Sequence, residues 1–181
     1  MDDLGELAAF ADATARVPWF AAVGQELTES ERREAGDYLA ALGLGGIEIA
    51  VVRDWRAAEA VTRDPDWGTA WWDAEEKERR ALLESAIRRW GEHPLMRALT
   101  TVTDAATRVT LGAASTAAAR DGIADPALAR VAAGAATQAA YQAALAHAAG
   151  ADAAHAFPVK FRLYAAGRWL LGPTGRVFHV F

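Results

Sequence analysis

ALTTVTDAATRVTLGAASTAAARDGIADPALARVAAGAATQAAYQAALAHAAG, residues Ala98 to Gly150, reads as two alanine-rich helices folded back on one another. Asp121-Gly122 is a turn signal. Asp125 followed by Pro126 opens the second helix: a side-chain acceptor at the N-cap, then a proline where no amide donor is needed. From Val131 to Ala151 there is no Asp, Glu, Lys or Arg. A helix that is small or apolar all round belongs in an interior rather than at a surface. Alanine also has the highest helix propensity and lets a neighbouring backbone come close. The first helix, about Pro94 to Arg120, contributes Leu95, Met96, Leu99, Val102, Val109 and Leu111.

A membrane hairpin is the rival reading. Each span would need about 20 predominantly apolar residues, flanked by basic anchors. Thr137, Gln138, Gln142 and His147 interrupt this one, and no Lys/Arg belt borders it. The expectation is a buried hairpin in a soluble protein.

The chain has 181 residues, 52% hydrophobic and 24% charged, which is a globular composition for one domain. The formal charge of −5 argues against a nucleic-acid surface, which would be basic. No cysteine is present, so disulfides and thiolate chemistry are excluded. Residues 1–20 are acidic and carry no basic n-region of a signal peptide, so cytoplasm is the expected location. Much arginine and alanine with little lysine suggests a GC-rich coding sequence.

Working outward, Asp2 to Ala13 predicts a short helix burying Leu4, Leu7 and Phe10. Thr28 and Glu31 fit a capping box, opening a helix to about Leu42 with Ala35, Tyr38, Leu39 and Leu42 on one face. Residues 47–52, IEIAVV, look β-like but run into RDWRAAEAV; the segment is read as one helix from about 46 to 62. A turn at Asp64 to Gly68 precedes a surface-type helix to about Gly91. Its inner face is read as Trp72, Leu83, Ala86, Ile87 and Trp90, with Glu75–Arg79, Glu76–Arg80 and Glu84–Arg88 as i,i+4 pairs outside. The last 25 residues turn aromatic and β-branched. Three antiparallel strands are expected, at about 159–164, 168–171 and 176–181, with Lys160 and Arg162 on the polar side of the first. The fold class is therefore mostly α, or α+β if the meander is counted. The expected architecture is a bundle of about five or six helices around the hairpin, with a C-terminal β-meander. It is divided into N-terminal helices (1–93), hairpin (94–150) and meander (157–181).

Three places can carry chemistry. Trp67, Trp71 and Trp72 cluster among the seven tryptophans. Adjacent Trp71 and Trp72 cannot both face one core, so one lies at an edge, an interface or a pocket. With Asp73, Glu75 and Glu76 beside it, such a pocket suits an amine or other cation. Arg168-Trp169 offers a guanidinium to an anion or to a local acid. His147, Asp152 and His155 are a candidate divalent-metal set, although Gly150 breaks the helix between them. No phosphate loop, dinucleotide fingerprint or nucleophile elbow is present. These residues favour a non-enzymatic, homodimerising interaction protein without a cofactor. The alternatives are a small-molecule binder or enzyme with a pocket between helices and meander, and a metal enzyme built on the histidine set.

Overall fold

The structure, a computed structural model, describes residues 3–181. In chain order it contains α1 (Asp3–Thr14), α2 (Glu29–Ala41), β1 (Glu48–Val51), α3 (Trp55–Thr62), α4 (Thr69–Trp90), α5 (Glu92–Arg120), α6 (Pro126–Ala149), α7 (Ala156–Ala165), β2 (Leu170–Thr174) and β3 (Val177–Val180). The fold is mostly α with a small β part. The expected start of the first helix at Asp2 lies outside the described residues. Among those residues no helix is long and apolar enough to cross a membrane.

The α5–α6 hairpin is the centre. Asp125 caps α6 by accepting from Ala127 N at 2.8 Å, with Pro126 in the first turn. Thr110 and Thr137 link the two helices through their hydroxyls at 3.2 Å. Small residues fill most of the buried α6 surface, with Leu128, Gln142 and Leu145 as its large contributions. On α5, Leu95, Leu99 and Val102 turn inward, whereas Met96 and Leu111 stay exposed. Around the hairpin, α1 packs on α5 and α6, α4 on α6 and α5, and α7 between α6 and α2. The Thr28–Glu31 capping box at the start of α2 has both of its hydrogen bonds.

Two segments depart from the sequence reading. Residues 47–52 do not begin a helix: Glu48–Val51 is a strand, parallel to β3 in a sheet of order β1–β3–β2. The helix starts only at Trp55, because the Asp54 side chain caps it at Ala57 N, 2.8 Å away. Residues 159–164 are not a strand but the body of α7. Their alternation hides a helical stripe: Phe157, Lys160, Leu163 and Tyr164 are all buried. Counting Lys160 as an outward residue is what made the period look like two. Only β2 and β3 form an antiparallel hairpin, and β1 supplies the third strand from far upstream.

Arg168 joins this hairpin to the segment before α2. It is 3% exposed, and its guanidinium is fully engaged. It donates to both Glu31 carboxylate oxygens at 2.8 and 2.9 Å, and to the carbonyls of Ala22, Gln25 and Glu26 at 2.7–2.9 Å. Of the two fates expected for this residue, an anion or a local acid, the fold supplies the local acid. Glu31 both completes the α2 cap and neutralises Arg168.

Hydrogen bonding to Arg168 holds the Glu31 carboxyl down at about 2, from an ordinary 4.5. Because the folded value is the lower one, the unfolded chain binds the extra proton between these limits. Stability is therefore complete above about pH 4.5 and is lost as pH falls toward 2. Urea denaturation should find Glu31→Gln about 3 kcal/mol less stable than wild type at pH 7, a gap that narrows steadily below pH 4.5.

Candidate functional site

A cavity of about 490 Å³ opens between α4, α6, α7 and β2. Its size lies within the range of small-molecule sites, about 300–1,000 Å³. The walls come from different parts of the chain for separate reasons.

The tryptophan wall is positioned by β2. The turn before α4 runs alongside that strand: Gly68 N donates to Pro173 O at 2.9 Å, and Trp67 pairs with Thr174 in an antiparallel bridge. Trp67 then donates from Nε1 to Leu171 O at 3.0 Å, and its ring meets Trp71 edge-on, 5.9 Å between centroids. Gly172 makes this approach possible. Its φ is +99°, and a Cβ there would lie 2.7 Å from Trp71 and 2.8 Å from Trp67. Of the adjacent pair, Trp71 is buried and Trp72 is 54% exposed at the rim. Of the inner face expected for this helix, Leu83, Ala86, Ile87 and Trp90 do pack against the core, but Trp72 does not: Trp71 and Glu75 are buried in its place.

The opposite wall is made of what α6 lacks. Val131, Gly134, Ala135 and Gln138 line the cavity at i, i+3, i+4 and i+7. This is one helical stripe, small at its middle.

The floor is polar and closed on itself. Lys160 of α7 donates to both oxygens of Glu75 at 2.6 and 2.9 Å, and to Gln142 Oε1 at 2.9 Å. Gln142 Nε2 donates to Glu75 at 3.2 Å. Trp71 Nε1 donates to the Tyr38 hydroxyl, which in turn donates to Glu75. Four helices meet in this network, and Glu75, Lys160, Gln142 and Tyr38 are all at most 5% exposed. The lysine ammonium also lies 5.5 Å from the Trp71 ring centroid. Burial, reinforced by the Glu75 charge, raises the Tyr38 and Tyr164 phenols well above their ordinary values, so both remain protonated donors at neutral pH.

The sequence-predicted site residues separate into two groups. Trp67, Trp71, Trp72 and Trp169 all line the cavity. Asp73 is exposed and lies outside it, and Arg168 is spent on Glu31. The expected Glu75–Arg79 pair is replaced by Glu75–Lys160, while Arg79 and Arg80 both bind Glu76. Those two arginines hold the Glu76 carboxyl down at about 2. His147, Asp152 and His155 go to separate partners. His147 lies 2.9 Å from Glu6 and His155 lies 3.4 Å from Glu78, whereas Asp152 accepts from Ala154 N. Among the described residues no group of three or more His, Asp or Glu side chains is placed to hold a metal ion. The floor residues Lys160, Gln142 and Tyr38 were not anticipated as a site. The available signal was an inward lysine in an otherwise apolar helical stripe.

No family model matches this chain, and neither the curated proteins nor the solved structures contain a match to it.

The floor predicts a strongly non-additive mutant cycle. Glu75→Gln or Lys160→Met alone leaves a buried charge without its partner and should cost about 3–5 kcal/mol. The double substitution removes both charges and should cost far less than the sum, as guanidinium or urea titration of the four proteins will measure.

Proposed function

We propose that this protein binds a small, flat, largely apolar molecule of no net charge in the tryptophan-lined cavity. The observation that carries this reading is the pairing of the floor residues. The Glu75 carboxylate already has its ammonium partner in Lys160, so the aromatic-and-carboxylate arrangement that would take an external amine is occupied from within. Arg168 and Glu76 are equally committed elsewhere. A ligand entering here meets indole faces, aliphatic side chains and polar groups that are already paired. Burying an unpaired charge against them would be costly, whereas an aromatic molecule gains contact area and ring stacking.

A second reading has its own support. Trp72 and Val131, 54% and 52% exposed, flank the cavity mouth. A second copy of the chain covering that rim would form a homodimer, with Trp72 as its anchor. Analytical ultracentrifugation over a concentration series distinguishes this from a monomeric binder.

The test of ligand binding uses Gly134. A Cβ at this position meets nothing within 4 Å, and the helix there has no positive φ that would forbid a side chain. Gly134→Leu should therefore stabilise α6 by about 0.5–1 kcal/mol through helix propensity. The same side chain would take up part of the cavity, at the middle of its α6 wall. Nile red, a neutral aromatic dye, should bind wild type with one-to-one stoichiometry, and the variant roughly tenfold or more weakly. Equal dye binding by both proteins would contradict the reading.

A further inference from the structure

We infer that Lys160 captures carbonyl compounds: its ε-amine condenses with the aldehyde or ketone group of an aromatic ligand held in the cavity. The inference rests on the ligand-pocket reading above and names the chemistry of its ligand.

Lys77 and Lys160 are the only lysines among the 19 lysine and arginine residues of the chain. Arginine serves almost everywhere that a cation is needed, but its guanidinium does not act as an amine nucleophile. Lys77 is on the surface, and Lys160 is 3% exposed at the cavity floor. Stability alone gives a weak reason for an ion pair in this place, since apolar residues of similar volume often serve as well or better. What the pair offers beyond packing is a nucleophile with a base beside it, the arrangement that covalent capture needs.

The surroundings fit each step. Glu75 Oε1, 2.6 Å from Nζ, takes one proton from the ammonium. The freed lone pair adds to the carbonyl carbon, and a second proton passes from the nitrogen to the new alkoxide oxygen, giving a neutral carbinolamine. Glu75 returns its proton to the carbinolamine oxygen, which departs as water. The product is an iminium ion whose remaining N–H faces the Glu75 carboxylate. One ammonium becomes one iminium and one water is released, so charge and atoms balance with no further reactant. Tyr38 and Gln142 hold Glu75 in place throughout by donating to it. The indole and leucine walls offer the aromatic part of the product an apolar surface to pack against.

The test uses the wild-type full chain, with Lys77 as an internal reference. The protein is incubated with 2-naphthaldehyde and sodium cyanoborohydride at neutral pH, and the reduced adduct is located by peptide mass spectrometry. The inference predicts an adduct on Lys160 that forms roughly tenfold or more faster than on Lys77, because the cavity holds the aldehyde beside the amine. Excess 2-naphthalenemethanol, which lacks the carbonyl, should slow it. Lys77→Arg should retain the adduct in full. Modification of Lys77 or the N-terminal amine, with Lys160 left unmodified, overturns the inference. If the alcohol still displaces Nile red in that case, the pocket reading stands without it. If neither compound displaces the dye, both readings fall.

Discussion

Two opposite charges, Lys160 Nζ and Glu75 Oε1, sit 2.6 Å apart in the interior, and much of the molecule is arranged around the need to keep them together. Removing such groups from water costs several kcal/mol each, and only close contact with complete hydrogen bonding offsets it. The network meets that requirement. Three side chains besides Lys160 and Glu75 take part, and the five come from α2, α4, α6 and α7. The pair also decides how α4 is rotated. Glu75 must face α7, so Trp71, one turn earlier, faces inward with it and Trp72 is left at the rim.

The cavity follows from bulk placed opposite its absence. Tryptophans crowd one side, anchored by the backbone of β2 and admitted by the bare Cα of Gly172. On the other side α6 presents Gly134 and Ala135 where larger residues would close the gap. The same small residues that let α6 pack tightly against α5 leave space where it turns toward α4. One compositional feature thus serves both the central helical hairpin and the cavity. Lys160 lies where the two walls converge, which makes a structural ion pair also a chemical group within reach of a ligand.

Features governed by neighbours in sequence were legible without the structure. The Thr28–Glu31 box and the Asp125-Pro126 start rest on atoms a few residues apart, and helix propensity with small-residue patterning placed the central hairpin. Features governed by distant partners were not. Glu75 has Arg79 one helical turn away, and nothing local says that its true partner lies 85 residues on. The alternation in 159–164 reads as a strand if the lysine points outward; with Lys160 inside, the same letters carry a helical period. Likewise, Ile47 to Ala60 reads as continuous until the Asp54 cap divides strand from helix. The tryptophan cluster was an intermediate case. Adjacency required one ring to face out, but choosing Trp72 over Trp71 required the rotation imposed by Glu75.

The most direct measurement is a ¹H–¹⁵N spectrum of the seven indole groups during titration with 2-naphthalenemethanol. Four tryptophans border the cavity and three, Trp19, Trp55 and Trp90, do not. The account predicts that the indole resonances of Trp67, Trp71, Trp72 and Trp169 shift and saturate together while the other three hold still. Shifts at Trp19 or Trp90 of equal size, or no saturable shift at any indole, would contradict it.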